Sequence, residues 1–200
     1  MKLLLLGCTG FIGKELVQKL ISRGHELAIV SRRKSIDLGN TFNHKNIYHL
    51  QLDPASESSW ENNDFLSSLQ NAQGIVNLVG EPIAERRWSK SQRDEIKNSR
   101  INTTRYLIKT LNQFKNPPQL LINGSAIGFY GTSQENLFDE NSQAGDDFLA
   151  EVCNEWEHVV SKKPNSTRLV VLRIGIVLEK EGGALGKMLP IFRSGLGGPI

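Results

Sequence analysis

At 200 residues, with a net charge of +3 and 38% hydrophobic residues, the chain can bury roughly 70% of its unfolded surface in one substantial core. The charge is small and mixed in sign, so nothing points to nucleic acid or to a membrane surface as partner. Cys8 and Cys153 are too few for a disulfide framework and suit a reducing, cytoplasmic setting, and His25, His44, His49 and His158 have no metal-ligand spacing, so no metal is expected.

The chain opens MKLLLLGCTGFIG. Its apolar run, Leu3 to Leu6, is far short of the roughly 7–15 apolar residues of an export signal. Lys2 to Leu6 therefore reads as a strand buried on both faces. Phe11 to Ser22 reads as a helix, with Ile12, Leu16 and Leu20 on one face and Gly24 as its stop. Glu26 to Val30 and Ile47 to Leu52 are the second and third strands. Asp64 is placed to cap a short helix through Leu69, and Gly74 to Leu78 is the fourth strand. Ser89 or Ser91 caps a long helix ending near Phe114, ahead of Pro117 and Pro118. Leu120 to Asn123 is the fifth strand. Asp146 or Asp147 starts a helix through Trp156, and Arg168 to Ile174 is the sixth strand. The stretches 35–46 and 54–63 read as surface loops. No other apolar run approaches the roughly 18 residues of a membrane span. Strands alternating with helices predict an α/β fold, a doubly wound parallel sheet with helices on both faces.

Gly7, Thr9, Gly10, Phe11, Ile12 and Gly13 run from the end of the first strand into the start of the first helix. In that context the glycines point to a bound dinucleotide. Gly7 permits the tight turn, Gly10 lets backbone N–H groups approach a pyrophosphate, and Gly13 lets the helix pack closely on the strand. The helix N-terminus adds unpaired N–H groups and partial positive charge. Cys8 is then a turn residue. Ser31, Arg32 and Arg33 follow the end of the second strand, where an NAD-binding chain would carry an acid for the ribose 2′-OH. A hydroxyl and two guanidiniums suit a 2′-phosphate instead, the other reading being a solvated basic loop, so the expected cofactor is NADP(H).

The G-x-x-G-x-x-G spacing resembles the extended short-chain dehydrogenase/reductase superfamily, which includes the nucleotide-sugar epimerases. NLVGEPIAERRW (77–88), NGSAIGFYG (123–131), LRIGIVL (172–178) and GGALGKMLPIFRSGLGGPI (182–200) resemble its epimerase-like family 39 branch, some of whose members carry a cell-division-inhibitor label. The resemblance implies that Asp53 accepts from the adenine amine and that Asn77, Leu78, Val79 and Gly80 line the diphosphate and ribose. It also matches Asn102 to a helix asparagine that orders the site, although Asn102 reads equally as a solvated residue. Such proteins are about half as long again. The expectation is therefore a dinucleotide-binding domain over 1–178 and, at 179–200, the truncated start of a substrate-side segment, with a homodimer as a further expectation.

Short-chain dehydrogenases use Ser or Thr with Tyr-x-x-x-Lys, the tyrosine moving a proton and the lysine lowering its pKa. Ser125 fits the first role. Phe148 and Val152 stand where the tyrosine and lysine belong, so the usual mechanism is missing. Tyr130 is the candidate substitute, its other reading being loop packing. Glu81, Arg87, Arg173 and Lys187 are candidates for the substrate side, each equally readable as a solvated charge. Two functions stay open: an NADP(H)-dependent, epimerase-like oxidoreductase acting on a small molecule, or a non-catalytic NADP-binding regulator, linked through the family label to cell division.

Overall fold

The computed structural model describes residues 1–34, 39–180, 182–196 and 198. Part of the expected loop at 35–46 and the end of the GLGGPI block thus lie outside the described residues.

Six parallel strands form one sheet in the order β3-β2-β1-β4-β5-β6. They are β1 (Lys2–Leu6), β2 (Glu26–Ser31), β3 (Ile47–Gln51), β4 (Gly74–Asn77), β5 (Leu120–Ala126) and β6 (Arg168–Ile174). Parallel register runs through every pairing, from Leu27 opposite Ile47 to Ala126 opposite Ile174. The helices between them are α1 (Phe11–Ser22), α2 (Asn63–Asn71), α3 (Lys90–Leu111) and α4 (Phe148–Ser161). The unbroken leucine run of β1 has a simple cause. Leu4 and Leu6 enter a core with Phe65, Leu69, Leu107 and Val160 from α2, α3 and α4. Leu3 and Leu5 enter a second core with Val17 of α1. From Leu3 to Leu6 both faces of the strand are buried, so these four positions are all apolar, and only Lys2 at its exposed start is charged.

The caps resolve the open alternatives. Ser89 caps α3, its Oγ accepting the Gln92 N–H at 3.2 Å, and Asp147 caps α4, its Oδ1 accepting from Leu149 and Ala150. Asn62 rather than Asp64 caps α2, accepting the Phe65 N–H at 2.9 Å. Asp64 sits inside the first turn, where a carboxylate still complements the helix dipole. Helix α3 stops at Leu111, short of Phe114, and α4 continues past Trp156 to Ser161 because Val160 still faces the core.

Beyond β6, a short antiparallel hairpin brings Leu178 and Glu179, which form β7, against Gly183 and Gly182. It leads into α5 (Gly183–Arg193). The hairpin lies on the ring of Phe11: a Cβ on Gly182 would sit 2.5 Å from the Phe11 Cε2 atom. Gly182 and Gly183 therefore lie back against Phe11, the first residue of α1 after the glycine turn. Among the described residues, no helix is long and apolar enough to cross a membrane.

Candidate functional site

The strand order reverses between β1 and β4, and in open parallel sheets ligands bind at such a switch point, beyond the carboxyl ends of the strands. The glycine turn lies there, and its three glycines do different work. Gly7 has φ +73°, a conformation that suits glycine. A Cβ on it would also meet the Leu78 carbonyl carbon and the Val79 nitrogen at 2.6 Å. A Cβ on Gly13 would fall 2.3 Å from the Cys8 Cα, so this glycine lets the first turn of α1 pack on the loop. Gly10 has an ordinary φ of −81°, and its Cβ would meet nothing nearer than the Gly7 carbonyl oxygen at 3.7 Å. No internal contact demands glycine at this position. It is the N-cap of α1, no side chain caps the helix, and its first turn holds no acid. The result is open space beside helix N–H groups and the positive end of a dipole, which is the chemistry of a phosphate seat. Cys8 beside it is fully buried, and burial pushes its thiol up to about 12, so it is no nucleophile.

A polar cavity of about 490 Å³ opens from this seat toward β2 and β3. Gly7, Thr9 and Gly10 line it, with Ser31, Arg32, Arg33 and Asp53 at the far end. The Ser31 hydroxyl lies 2.9 Å from His49 Nε2, and burial holds His49 below its ordinary pKa. The mostly exposed Arg32 reaches Glu81, whose carboxylate is largely covered, at 3.7 Å. Asp53 Oδ1 closes the turn after β3 by accepting the Ala55 N–H at 3.0 Å. Leu78, Val79, Gly80, Glu81 and Asn102 form the opposite wall.

A second cavity, of about 660 Å³, shares Gly7, Gly10, Leu78, Val79 and Gly80 with the first. Phe11, Ile12, Ile127, Val152 and Trp156 make its lining mostly apolar, and Gly13, Ser125, Arg100 and Cys153 also reach it. The buried Ser125 hydroxyl donates to Glu157 Oε1 at 2.6 Å. Arg173 grips the same carboxylate at both oxygens, each at 2.9 Å. Its contact with Glu157 raises the pKa of Arg173 above the ordinary arginine value. Because the Ser125 proton is committed to a carboxylate, only its lone pairs are left for the cavity.

Several expected site residues are placed otherwise. Tyr130 does not line this cavity. Its hydroxyl accepts from Arg173 Nη1 at 2.8 Å, and its ring stacks on Phe138 at 5.2 Å, so its packing reading is the one observed. Arg173 likewise turns away from the cleft, its guanidinium carbon 3.6 Å over the ring of Phe129. Asn77 is fully buried and does not line either cavity. Its Nδ2 donates to Thr104 and Asn123, and its Oδ1 accepts the Val79 N–H at 3.2 Å, so it shapes the wall from behind. Arg87 is exposed outside both cavities. Lys187 Nζ donates to the Ala84 carbonyl at 3.1 Å, tying α5 to the loop after β4. Phe148 packs edge-on to Trp88 at 5.6 Å, and Val152 lines the apolar cavity, so the two positions where the resemblance expects tyrosine and lysine carry apolar side chains.

Four site residues escape a reading of the sequence: Arg100, Cys153, Trp156 and Glu157. Cys153 and Trp156 belong to an apolar helix face that reads as core. Arg100 and Glu157 are charges on amphipathic helices, a pattern that reads as solvated. Among the described residues, no three His, Cys, Asp or Glu side chains converge as metal ligands.

The chain matches known proteins along its length. The chloroplastic epimerase family protein SDR39U1 homolog of Arabidopsis thaliana is 41% identical over 196 residues, covering 97% of this chain and 54% of that protein. The epimerase family protein SDR39U1 of Homo sapiens is 36% identical, covering 100% of this chain and 62% of that protein. The chain thus spans little more than half the length of these relatives. A crystal structure of the human protein with NADPH superposes with a TM-score of 0.80 at 35% identity, over 100% of this chain and 62% of that one. A nucleoside-diphosphate sugar epimerase from Corynebacterium glutamicum gives 0.76 at 27% identity, over 99% of this chain and 38% of that one. Residues 3–152 match the NAD dependent epimerase/dehydratase family. With the six-stranded parallel sheet, the glycine turn at its switch point and this match over most of its length, the chain belongs to the NAD-dependent epimerase/dehydratase family.

Proposed function

We propose that the chain binds NADP(H) across the joined cavities and serves as an epimerase-like oxidoreductase for a small molecule held in the apolar one. The observation that carries this reading is the shared wall. Gly7, Gly10 and Leu78–Gly80 line both cavities, so the phosphate seat stands between a polar lobe and an apolar lobe. Ser31, Arg32 and Arg33 equip the polar lobe for a 2′-phosphate. The NADPH bound to the human relative supports the same choice. When bound, the nicotinamide would supply or accept a hydride at the apolar lobe. The chain's own part is to hold the phosphates on α1, to exclude water with Phe11, Ile12 and Trp156, and to place Ser125 as a hydrogen-bond acceptor beside the reacting group.

A specific observation favours a second reading, that of a non-catalytic NADP-binding regulator. Tyr130 is occupied by Arg173 outside the cleft, and Phe148 and Val152 cannot move a proton. A nicotinamide fluorescence titration followed by a turnover screen of carbonyl compounds separates the readings. NADPH binding with turnover that falls in Ser125→Ala supports the enzyme. Binding without turnover across the screen favours the regulator. Failure to bind NADPH overturns both.

A further inference from the structure

Arg100 stands in the apolar lobe without an acidic partner. It projects from α3 and lines the larger cavity but not the polar one. Its Nη1 donates to the backbone carbonyls of Glu81, at 3.1 Å, and Ile96, at 2.8 Å. Among the described residues, no carboxylate lies within ion-pair distance of it, and no protein acceptor meets its Nε or Nη2. The nearby Glu81 carboxylate is turned to Arg32 instead. The guanidinium lies over Gly80, where a Cβ would come within 2.6 Å of its central carbon, and 5.6 Å from the centre of the Trp156 ring. Glycine at position 80 thus makes room for the cation, and Trp156 gives it a flat support.

This placement carries an energetic cost. Burial lowers the pKa of Arg100 below its ordinary value, and Cys153 and Glu81 offset that only in part. A cation in an apolar lobe loses hydration, and two backbone carbonyls on one corner of the fork return only some of it. An anion that meets the remaining N–H groups restores the balance, and a planar guanidinium matches a carboxylate or phosphate in a two-pronged geometry. The cofactor's diphosphate does not need this cation, because its seat is the N-terminus of α1 at Gly10.

From these contacts we infer that Arg100 anchors the anionic head of the substrate, with an apolar body lying among Ile12, Ile127, Val152 and Trp156. This deepens the proposed function and rests on NADP(H) occupying the polar lobe. The ligand class is a small acid, carboxylate or phosphate ester, with a hydrocarbon body.

The test is a titration of the NADPH-saturated chain with hexanoate, hexanamide and hexyl phosphate, read by nicotinamide emission. Hexanoate should bind about tenfold more tightly than its neutral isostere, the usual scale of a charge-assisted contact. Arg100→Gln should erase that preference, and Arg100→Lys should keep part of it, while NADPH affinity stays within about threefold in both. Tighter binding of hexyl phosphate than of hexanoate identifies the head as a phosphate ester, and the reverse identifies a carboxylate. Equal affinity for hexanoate and hexanamide in the parent overturns the inference without any variant. An equal loss of NADPH affinity in Arg100→Gln also overturns it, because Arg100 would then serve the cofactor. Failure of the parent to bind NADPH is a different result and brings down the underlying reading.

Discussion

Arg173 and Glu157 are joined at both prongs, Nε to Oε1 and Nη2 to Oε2, each at 2.9 Å. The two side chains are only 19% and 15% exposed, and Ser125 hangs its proton on the same carboxylate. Glu157→Ala would leave a largely covered cation without its anion. The expected loss is roughly 2–4 kcal/mol of stability, with a smaller loss for Glu157→Gln, which still accepts from Ser125. Urea unfolding of the two variants checks this. Equal and negligible losses would mean that the pair holds nothing in place.

Tyr130 is part of the same cluster, so its hydroxyl should matter to folding before it matters to the cleft. Tyr130→Phe removes one hydrogen bond to Arg173 and should cost about 1 kcal/mol while leaving NADPH affinity unchanged. If turnover is found in the parent, it should survive in this variant. Loss of turnover at unchanged stability would return Tyr130 to a catalytic role.

The glycines of the turn should separate binding from stability. Gly10→Val should lose NADPH binding and cost only about 1 kcal/mol of stability, since its Cβ enters open space and only a cap preference is lost. Gly13→Ala places a methyl 2.3 Å from the Cys8 backbone and should destabilise by about 1–3 kcal/mol. Thermal unfolding beside a fluorescence titration of each variant measures both effects. The reverse pattern would contradict the assigned roles.

His49 gives the fold a pH dependence. Its native pKa lies below the ordinary 6.5, mainly through burial, so the native state favours the neutral ring. Between the lowered value and 6.5 the unfolded chain binds more protons. The contribution is therefore intact above pH 6.5 and is lost as pH falls through the lowered native value. His49→Gln should flatten this slope in urea midpoints taken from pH 7.5 down to pH 5. A parent whose stability rises as pH falls over this range would show that the sign is wrong.

How much of the molecule is legible in its sequence depends on how far apart the deciding residues lie. The glycine turn is local: Leu6, Gly7, Gly10 and Gly13 announce strand, turn and helix within a few positions, and the structure places all three as expected. The caps are local as well, and only the exchange of Asn62 for Asp64 escapes, because two cap-forming side chains stand two residues apart at the start of the same helix. Asn77 is different. Its amide is taken by Thr104 and Asn123, 27 and 46 residues away, and nothing near Asn77 in the chain reveals that demand. Tyr130 fails for the same reason, since the loop after Ser125 is visible but the arginine 43 residues on that claims its hydroxyl is not. Glu157 and Arg100 pass as solvated helix charges until the sheet brings Ser125 to one and the apolar lobe to the other.

Calorimetric titration of the parent and Arg32→Ala chains with NADPH and NADH asks whether the polar lobe is built for the 2′-phosphate of NADP(H). The parent should bind NADPH about 10- to 100-fold more tightly than NADH, the scale of a charge-assisted phosphate contact, and Arg32→Ala should narrow the gap. Equal affinity of the parent for the two cofactors would contradict it.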